Sequence, residues 1–305
     1  MRLRLHPLIA LALLAVVIAA LLFAVHAYRY RFVHSDADLV MRLPAGNTVF
    51  FGNVAALRRA GMLALLVGSR REAEPEYQDF VHATHFDYTK DLNAVAGAVE
   101  NGQIFFLVRG RFDWGRLRAY AQAHGGSCTH EVCAVPANTP GRWASFRELQ
   151  PDVMMLALSE DRLAVSRVRA AGQFSGRMPQ HPIWISVSTS LLQNPASLPE
   201  PVRIFAITVQ WANSVILSLD RAAVGSEAVF NLQLDAECAN QAAAETIRNQ
   251  LQIQTKMLKL ELLRERQQTN PADLTGLLTA GGFQVVGKQV IGIWPVRREL
   301  LQALQ

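Results

Sequence analysis

From Leu8 to Val25 no residue carries a charged or even a polar side chain. A helix rises about 1.5 Å per residue, so about 20 residues cross the ~30 Å hydrocarbon core of a bilayer. A run of this length is expected to lie in lipid as a transmembrane helix, with the rest of the chain folding beside that membrane. The apolar region of a secretory signal is shorter, about 7–15 residues, which favours a retained anchor over a cleaved leader. Val25-His26-Ala27 keeps the cleaved alternative open, because its small residues are spaced as a signal peptidase accepts. "YRYRF", Tyr28 to Phe32, reads as an interfacial belt of aromatics and arginines. Arg2, Arg4 and the terminal amine precede the run, and Arg29 and Arg31 follow it. That count tips slightly toward a cytoplasmic N-terminus. The expectation is a single-pass protein of the bacterial inner membrane. The lipid bilayer is the partner of residues 8–27, and residues 33–305 lie outside the cytoplasm.

Net charge agrees with that partition. The chain of 305 residues carries a formal charge of +5, and the four arginines of residues 1–32 supply most of it. A pI near 9.4 would suggest nucleic acid, but nucleic-acid binding needs a basic stripe on a folded surface. Here the excess flanks an apolar segment, so no nucleic-acid partner is expected.

The remaining sequence reads as α+β. Val33 to Asn47 looks like a short polar stalk. "TVFFGNV", Thr48 to Val54, is β-branched and aromatic and reads as a strand. "AALRRAGMLALLVGS" has helical spacing, and Glu74 onward begins as a helix and then turns. Val95 to Phe112 is a hairpin signal, two apolar runs around "ENGQ" with its Asn-Gly pair. A helix follows, with Asp113 as its N-cap and Gly125 at its end. Strands are expected around Ala134 and over Trp143–Leu149, Val153–Leu158 and Arg162–Val168. Arg169 to Pro182 reads as a linker. Beyond it, "IWISVS", "VRIFAITVQ", "SVILSLD" and "EAVFNLQLD" read as strands, "TSLLQN" as a short helix and Ala239–Arg266 as a long one. Phe283–Val296 reads as a strand pair, closed by a helix in "RRELLQALQ". Both halves run strand, helix, hairpin, helix, strands. The expected fold class is therefore an N-terminal transmembrane helix (1–32) followed by two related α+β units, 33–170 and 171–305, with mainly antiparallel sheets.

"LPAGNTVFFGNVAALRRAG", "HFDYTKDL" (His85 to Leu92) and "RGRFDWGRL" resemble segments of bacterial membrane-anchored extracytoplasmic proteins without an assigned activity. The resemblance spans most of the region after the apolar run. It implies the same topology and carries no catalytic residues with it.

"HGGSCTHEVCAV" holds two of the three cysteines. In an oxidising compartment Cys128 and Cys133 can close a small loop, helped by Gly125 and Gly126, and a disulfide is the favoured reading. Zinc is the sharper alternative, with His124, Cys128, His130 and Cys133 as four N/S ligands, although the one-residue gap between Cys128 and His130 hinders a tetrahedron. Unpaired thiols are a third. A redox pair would show Cys-x-x-Cys beside a helix N-terminus, and this pair shows neither. Cys238 reads as a small buried hydrophobe.

Other candidates carry structural readings that outweigh the chemical ones. His82, His85 and Asp87 form an incomplete metal set, read instead as polar residues at a helix end. Asp87 and Asp91 are spaced for acid–base work but more simply cap and turn the chain. Trp143, Trp184, Trp211 and Trp294 fall in or beside strands, where packing is the ordinary use of tryptophan. Lys256, Lys259, Arg264 and Arg266 suit the C-terminal end of the long helix. Hydrolase elbows, zincin helices, P-loops and dinucleotide turns are all missing from the sequence. No cofactor is expected. The reading is a membrane-tethered, non-catalytic binding or scaffold module for an unknown protein or small molecule. An envelope enzyme with dispersed residues is the first alternative. The second is a signalling subunit acting through the small-residue seam of Ala10, Ala12, Ala15, Ala19 and Ala20.

Overall fold

The computed structural model describes residues 33, 35–44, 46, 48–67, 74–167, 178–188, 192–193, 200–223, 226–265 and 269–303. The apolar run, the "YRYRF" belt, most of the expected linker and Arg266 lie outside the described residues. Among the described helices none is long and apolar enough to cross a membrane.

The region read as a stalk is packed. Ser35 and Asp38 form a reciprocal capping box at the start of α1 (Asp36–Met41), and Leu39 and Val40 are buried. Asp36 accepts from Arg109 at 3.0 Å and from Asn53 Nδ2 at 2.6 Å, tying this helix to the strands beneath it. Its two buried residues among acids made it look polar in sequence. Strand β1 (Thr48–Gly52) follows. The next stretch, expected as one helix, divides into α2 (Val54–Arg59) and α3 (Leu63–Val67), because Gly61 turns the chain at φ 67°. Helix α4 (Pro75–Thr84) ends on His85 in the left-handed region, and Asp87 caps α5 (Tyr88–Asp91).

Strands β2 (Leu92–Glu100) and β3 (Gln103–Gly110) form the expected hairpin. Asn101 and Gly102 both adopt positive φ, 49° and 75°, as a tight turn between right-twisted strands requires. Helix α6 (Trp114–Ala123) is capped by Asp113, as its sequence indicates. The short β4 (Ser127–Thr129) and β5 (Val132–Pro136), then β6 (Trp143–Gln150) and β7 (Val153–Ser159), complete this half. The strand expected over Arg162–Val168 is instead a turn leading into α7 (Ala164–Arg167). Asp161 Oδ1 accepts from Leu163 N at 3.0 Å and Ser166 Oγ donates to Leu163 O at 2.7 Å, local bonds that compete with a ladder.

In the second half, β8 (Ile183–Val187) precedes α8 (Glu200–Val209). "VRIFAITVQ" is thus helical, contrary to its β-branched composition. Phe205, Ala206 and Val209 are buried and Val202 packs beside them, a spacing of one helical face that tertiary packing rewards. Strands β9 (Ser214–Arg221) and β10 (Ala228–Glu237) lead to the long α9 (Gln241–Arg264), capped by Asn240. Then come α10 (Leu274–Thr279), which the sequence reading omitted, the pair β11 (Gly282–Val286) and β12 (Gln289–Arg297), and α11 (Arg298–Ala303).

The strands form one antiparallel sheet in the order β11-β12-β10-β9-β8-β1-β2-β3-β7-β6-β5-β4. The α+β class with a mainly antiparallel sheet is therefore the architecture of this chain. Two cores lie on opposite faces. On face I, Phe51, Ala96, Leu107, Met155 and Trp184 pack under α1 and α7. On face II, Val215, Phe230, Leu234, Val290 and Trp294 pack under α8, α9 and α10. Leu57 and Met62 join the second core and Trp184 joins the first, so both cores draw residues from either side of residue 170.

Candidate functional site

Cys128 and Cys133 stand directly opposite each other in the β4–β5 pair, with Cα atoms 4.0 Å apart, and form a disulfide. That bridge overturns the zinc and unpaired-thiol readings, since both sulfurs are consumed. His124 ends α6 with Nδ1 2.9 Å from Tyr120 O and its ring stacked on Tyr120, and His130 sits in the turn at φ 57°. Cys238 is buried, and burial, with the neighbouring Glu237 carboxylate, raises its thiol pKa. Among the described residues no three His, Cys, Asp or Glu side chains are grouped to hold a metal ion.

Asp87 and Asp91 serve as caps and ties. Asp87 accepts from Thr89 N (2.9 Å), Thr89 Oγ1 (2.6 Å) and Tyr77 OH (3.1 Å), and pairs with Lys90 at 2.8 Å. Burial alone would raise its pKa, but these donors outweigh it and bring the carboxyl from 3.8 down to about 2. Burial, together with the same carboxylate, pushes the Tyr77 hydroxyl up. Asp91 accepts from Asp87 N at 2.9 Å and pairs with Arg111 at 2.7 Å. Neither carboxylate is left free for acid–base work.

A cleft of ≈ 630 Å³ lies at the end of β1 and β8, its wall shared between Asp36, Asn53, His181, Asp220 and Arg221 and apolar residues such as Phe51, Met62 and Met178. His181 Nδ1 is 3.3 Å from Asp220 Oδ2. No serine, cysteine or lysine is among the described residues that line it. The cleft offers a carboxylate–histidine pair without a nucleophile beside it.

The tryptophans divide. Trp184 is 1% exposed in the first core, and Trp294 packs edge-on with Phe205 and Phe283. Trp143 carries the Arg162 guanidinium 3.9 Å from its ring centre. Trp211, just past α8, is 76% exposed and packs as none of the others do.

The least expected feature is the side of β3 and β7 that joins neither core among the described residues. An antiparallel strand with one face in water normally alternates apolar and polar side chains. Strand β10 does so, directing Asn231, Gln233, Asp235 and Glu237 to face I. Strands β3 and β7 do not. Their buried residues on face I alternate with Ile104, Phe106 and Val108, and with Met154, Leu156 and Leu158, all half-buried on face II. The register aligns one row across this surface: Ile185, Phe50, Gly97, Phe106, Leu156 and Phe146. Phe50 and Phe106 meet edge to face, with centroids 5.7 Å apart. Phe50, Ile104, Phe106, Val108, Met154, Leu156 and Leu158 belong to neither core. Among the described helices, α1 and α7 pack on β3, β6 and β7 with their buried residues in the face I core, while α6 lies on β4 and β5 at the margin of this surface, its Arg118 paired with Glu148 of β6 at 3.5 Å. The sequence carried the signal in "QIFFLV" and "VMMLAL", which lack the two-residue period of a half-solvated strand.

No protein-family model matches the chain, and no curated protein matches it. Among solved structures, crystal form III of TP0453 is similar with a TM-score of 0.49 at 11% identity, over 87% of this chain and 96% of that one. Crystal form I of TP0453 gives 0.47 at 12% identity, over 89% and 98%.

Proposed function

We propose that this chain is a membrane-tethered, extracytoplasmic, non-catalytic binding module of the bacterial inner membrane. Its ligand surface is the open apolar face of β1, β2, β3, β7 and β6, and the ligand class is an elongated apolar molecule such as an alkyl chain. One observation carries the reading: β3 and β7 present hydrocarbon on both faces while β10 of the same sheet presents amides and carboxylates to its open side. Several half-buried aromatic and aliphatic side chains on one face hold apolar surface in water, and each loses that cost when an apolar ligand covers it. The tether is supported by the uncharged run Leu8–Val25 and by the resemblance to membrane-anchored extracytoplasmic proteins; the bridge Cys128–Cys133 fits an oxidising space.

The two-unit organisation belongs to the same proposal. Read outward from the β1–β8 seam, one side runs β1-β2-β3-β7 and the other β8-β9-β10-β12. In each, a strand and hairpin are followed by a helix, α6 or α9, before the chain returns to pair beside the hairpin. That equivalence supports two related units.

The test is photo-crosslinking of the full chain in nanodiscs with a diazirine-bearing fatty acid, read by peptide mass spectrometry. Label in the β3 and β7 peptides, reduced by Leu156→Asn, is the expected result. Label confined to residues 8–27 would refute the ligand surface. The enzyme alternative rests on the His181–Asp220 pair, whose cleft supplies no nucleophile among the described residues.

A further inference from the structure

The second half of the molecule carries an apolar surface that the sheet does not use. On α8, Phe205, Ala206 and Val209 face the core while Ile204 and Ile207 point outward and are exposed, with Trp211 following them at the same helical spacing. On α9, Ile247, Leu251 and Leu262 face the core. Ile253, Met257, Leu260 and Leu263 form a second stripe on the outer side, with Met257 64% and Leu263 69% exposed. Gln254 Nε2 donates to Thr208 Oγ1 at 2.6 Å, so the two stripes flank a point where the helices touch. A helix buried on one face should be polar on the other. Helix α8, and α9 from Ile253 onward, are apolar on both.

The outer stripe is bordered by Lys256, Lys259 and Arg264, with the acids Glu261 and Glu265 toward its C-terminal end. Lys256 and Lys259 are exposed on α9 and form no ion pair among the described residues. Arg264 makes only a 3.9 Å contact with Glu261, both groups well exposed. An apolar stripe bordered by lysines, with an exposed tryptophan at its side, is the pattern of a helix lying in a membrane interface. The chain also keeps the fold near the proposed tether without choosing which face meets the bilayer, since Val33 joins the face I core. Val33 is buried, its N–H bonded to Gln150 Oε1 at 2.7 Å. Residues 26–32 alone separate it from the uncharged run, and seven residues span at most about 25 Å.

We propose that the outer face of α8 and α9 seats on an anionic lipid surface, through Ile204, Ile207 and Trp211 and through Ile253, Met257 and Leu260, with Lys256 and Lys259 at the headgroups. The inference rests on the tether proposed above. Since α8 and α9 cover face II, this seating also turns the open half of face II toward the bilayer, from which an alkyl ligand would come.

The test uses the full chain in vesicles of phosphatidylcholine with or without phosphatidylglycerol. Met257→Cys and, as a control on face I, Gln289→Cys are each labelled with an environment-sensitive fluorophore. Cys238 is 0% exposed, so native labelling selects the introduced thiol. With phosphatidylglycerol, the probe at 257 shifts to the blue and is quenched by spin-labelled lipid, and the probe at 289 is not. Lys256→Gln and Lys259→Gln each lower the seated-to-free ratio about fivefold. Equal signals at 257 and 289, a response undiminished in pure phosphatidylcholine, or one that grows with protein density at fixed lipid as two copies meet, would each overturn the proposal. If the chain floats with carbonate-washed vesicles while the probe at 257 is silent, this inference fails and the tether stands. If it does not float, both fail.

Discussion

The ring of Phe50 lies directly over Gly97: a Cβ built on Gly97 would sit 2.1 Å from Phe50 Cζ. The two are register partners in neighbouring strands, and Phe106, the next residue in the row, meets Phe50 edge-on. Glycine here gives the phenyl ring a seat, and that seat shapes the middle of the open apolar face. Replacing it by alanine forces the ring out of its position. Overpacking of this kind costs about 1–3 kcal/mol. Gly97→Ala should lower the denaturant midpoint accordingly and weaken alkyl crosslinking at β3, whereas Gly97→Ala combined with Phe50→Ala should recover most of the stability. An unchanged midpoint in the single variant would mean that the ring moves aside freely.

The Asp87 network predicts a pH dependence. Its carboxyl is lowered from 3.8 to about 2, so the folded state favours the ionised form. The stabilisation is complete above the unfolded value and disappears as pH falls from about 4 toward 2. A shift of this size corresponds to about 2 kcal/mol. Asp87→Asn should lose a similar amount at pH 7 and show a flatter stability profile between pH 4 and 2. Chemical denaturation across that range gives the comparison, and parallel profiles for both proteins would count against the network.

The bridge between Cys128 and Cys133 closes a loop of four intervening residues at the sheet's β4 edge. Closure of so short a loop stabilises by about 2 kcal/mol. Cys128→Ser with Cys133→Ser should lower stability by that order while leaving the label pattern on β3 and β7 intact, because β6 separates the bridge from β7. Loss of that label in the double variant would show that the edge hairpin also builds the ligand surface.

Much of the architecture is written in local chemistry. Asn101-Gly102 fixes the hairpin, and Asp113, Asn240 and Asp87 mark helix starts with side chains that accept from backbone N–H groups. The β4–β5 pairing that joins Cys128 to Cys133 follows from residues seven positions apart in the chain or fewer. What escaped the sequence depended on distant partners. Helix α8 is β-branched by composition, and the burial of Phe205, Ala206 and Val209 in the face II core, with Phe205 edge-on to Trp294, makes its helical stripe the better solution. Helix α1 looked polar because Leu39 and Val40 are its only buried residues, and their sites are built by strands far along the chain. The open face was present as apolar runs in β3 and β7. Which of their two faces joins a core among the described residues is decided by where α1, α6, α7, α8 and α9 dock, and no local pattern records that.

The central claim is that face II over β3 and β7 receives an alkyl chain. The direct measurement is thiol protection in nanodiscs. Leu156→Cys lies on the open face, and Val286→Cys is an exposed control in β11. Reaction with a charged maleimide is followed with and without a long-chain alkyl carboxylate. The account predicts that the carboxylate slows Leu156→Cys by about tenfold, as a ligand at ten times its Kd does, and leaves Val286→Cys unchanged. Equal rates at Leu156→Cys with and without the carboxylate would contradict it.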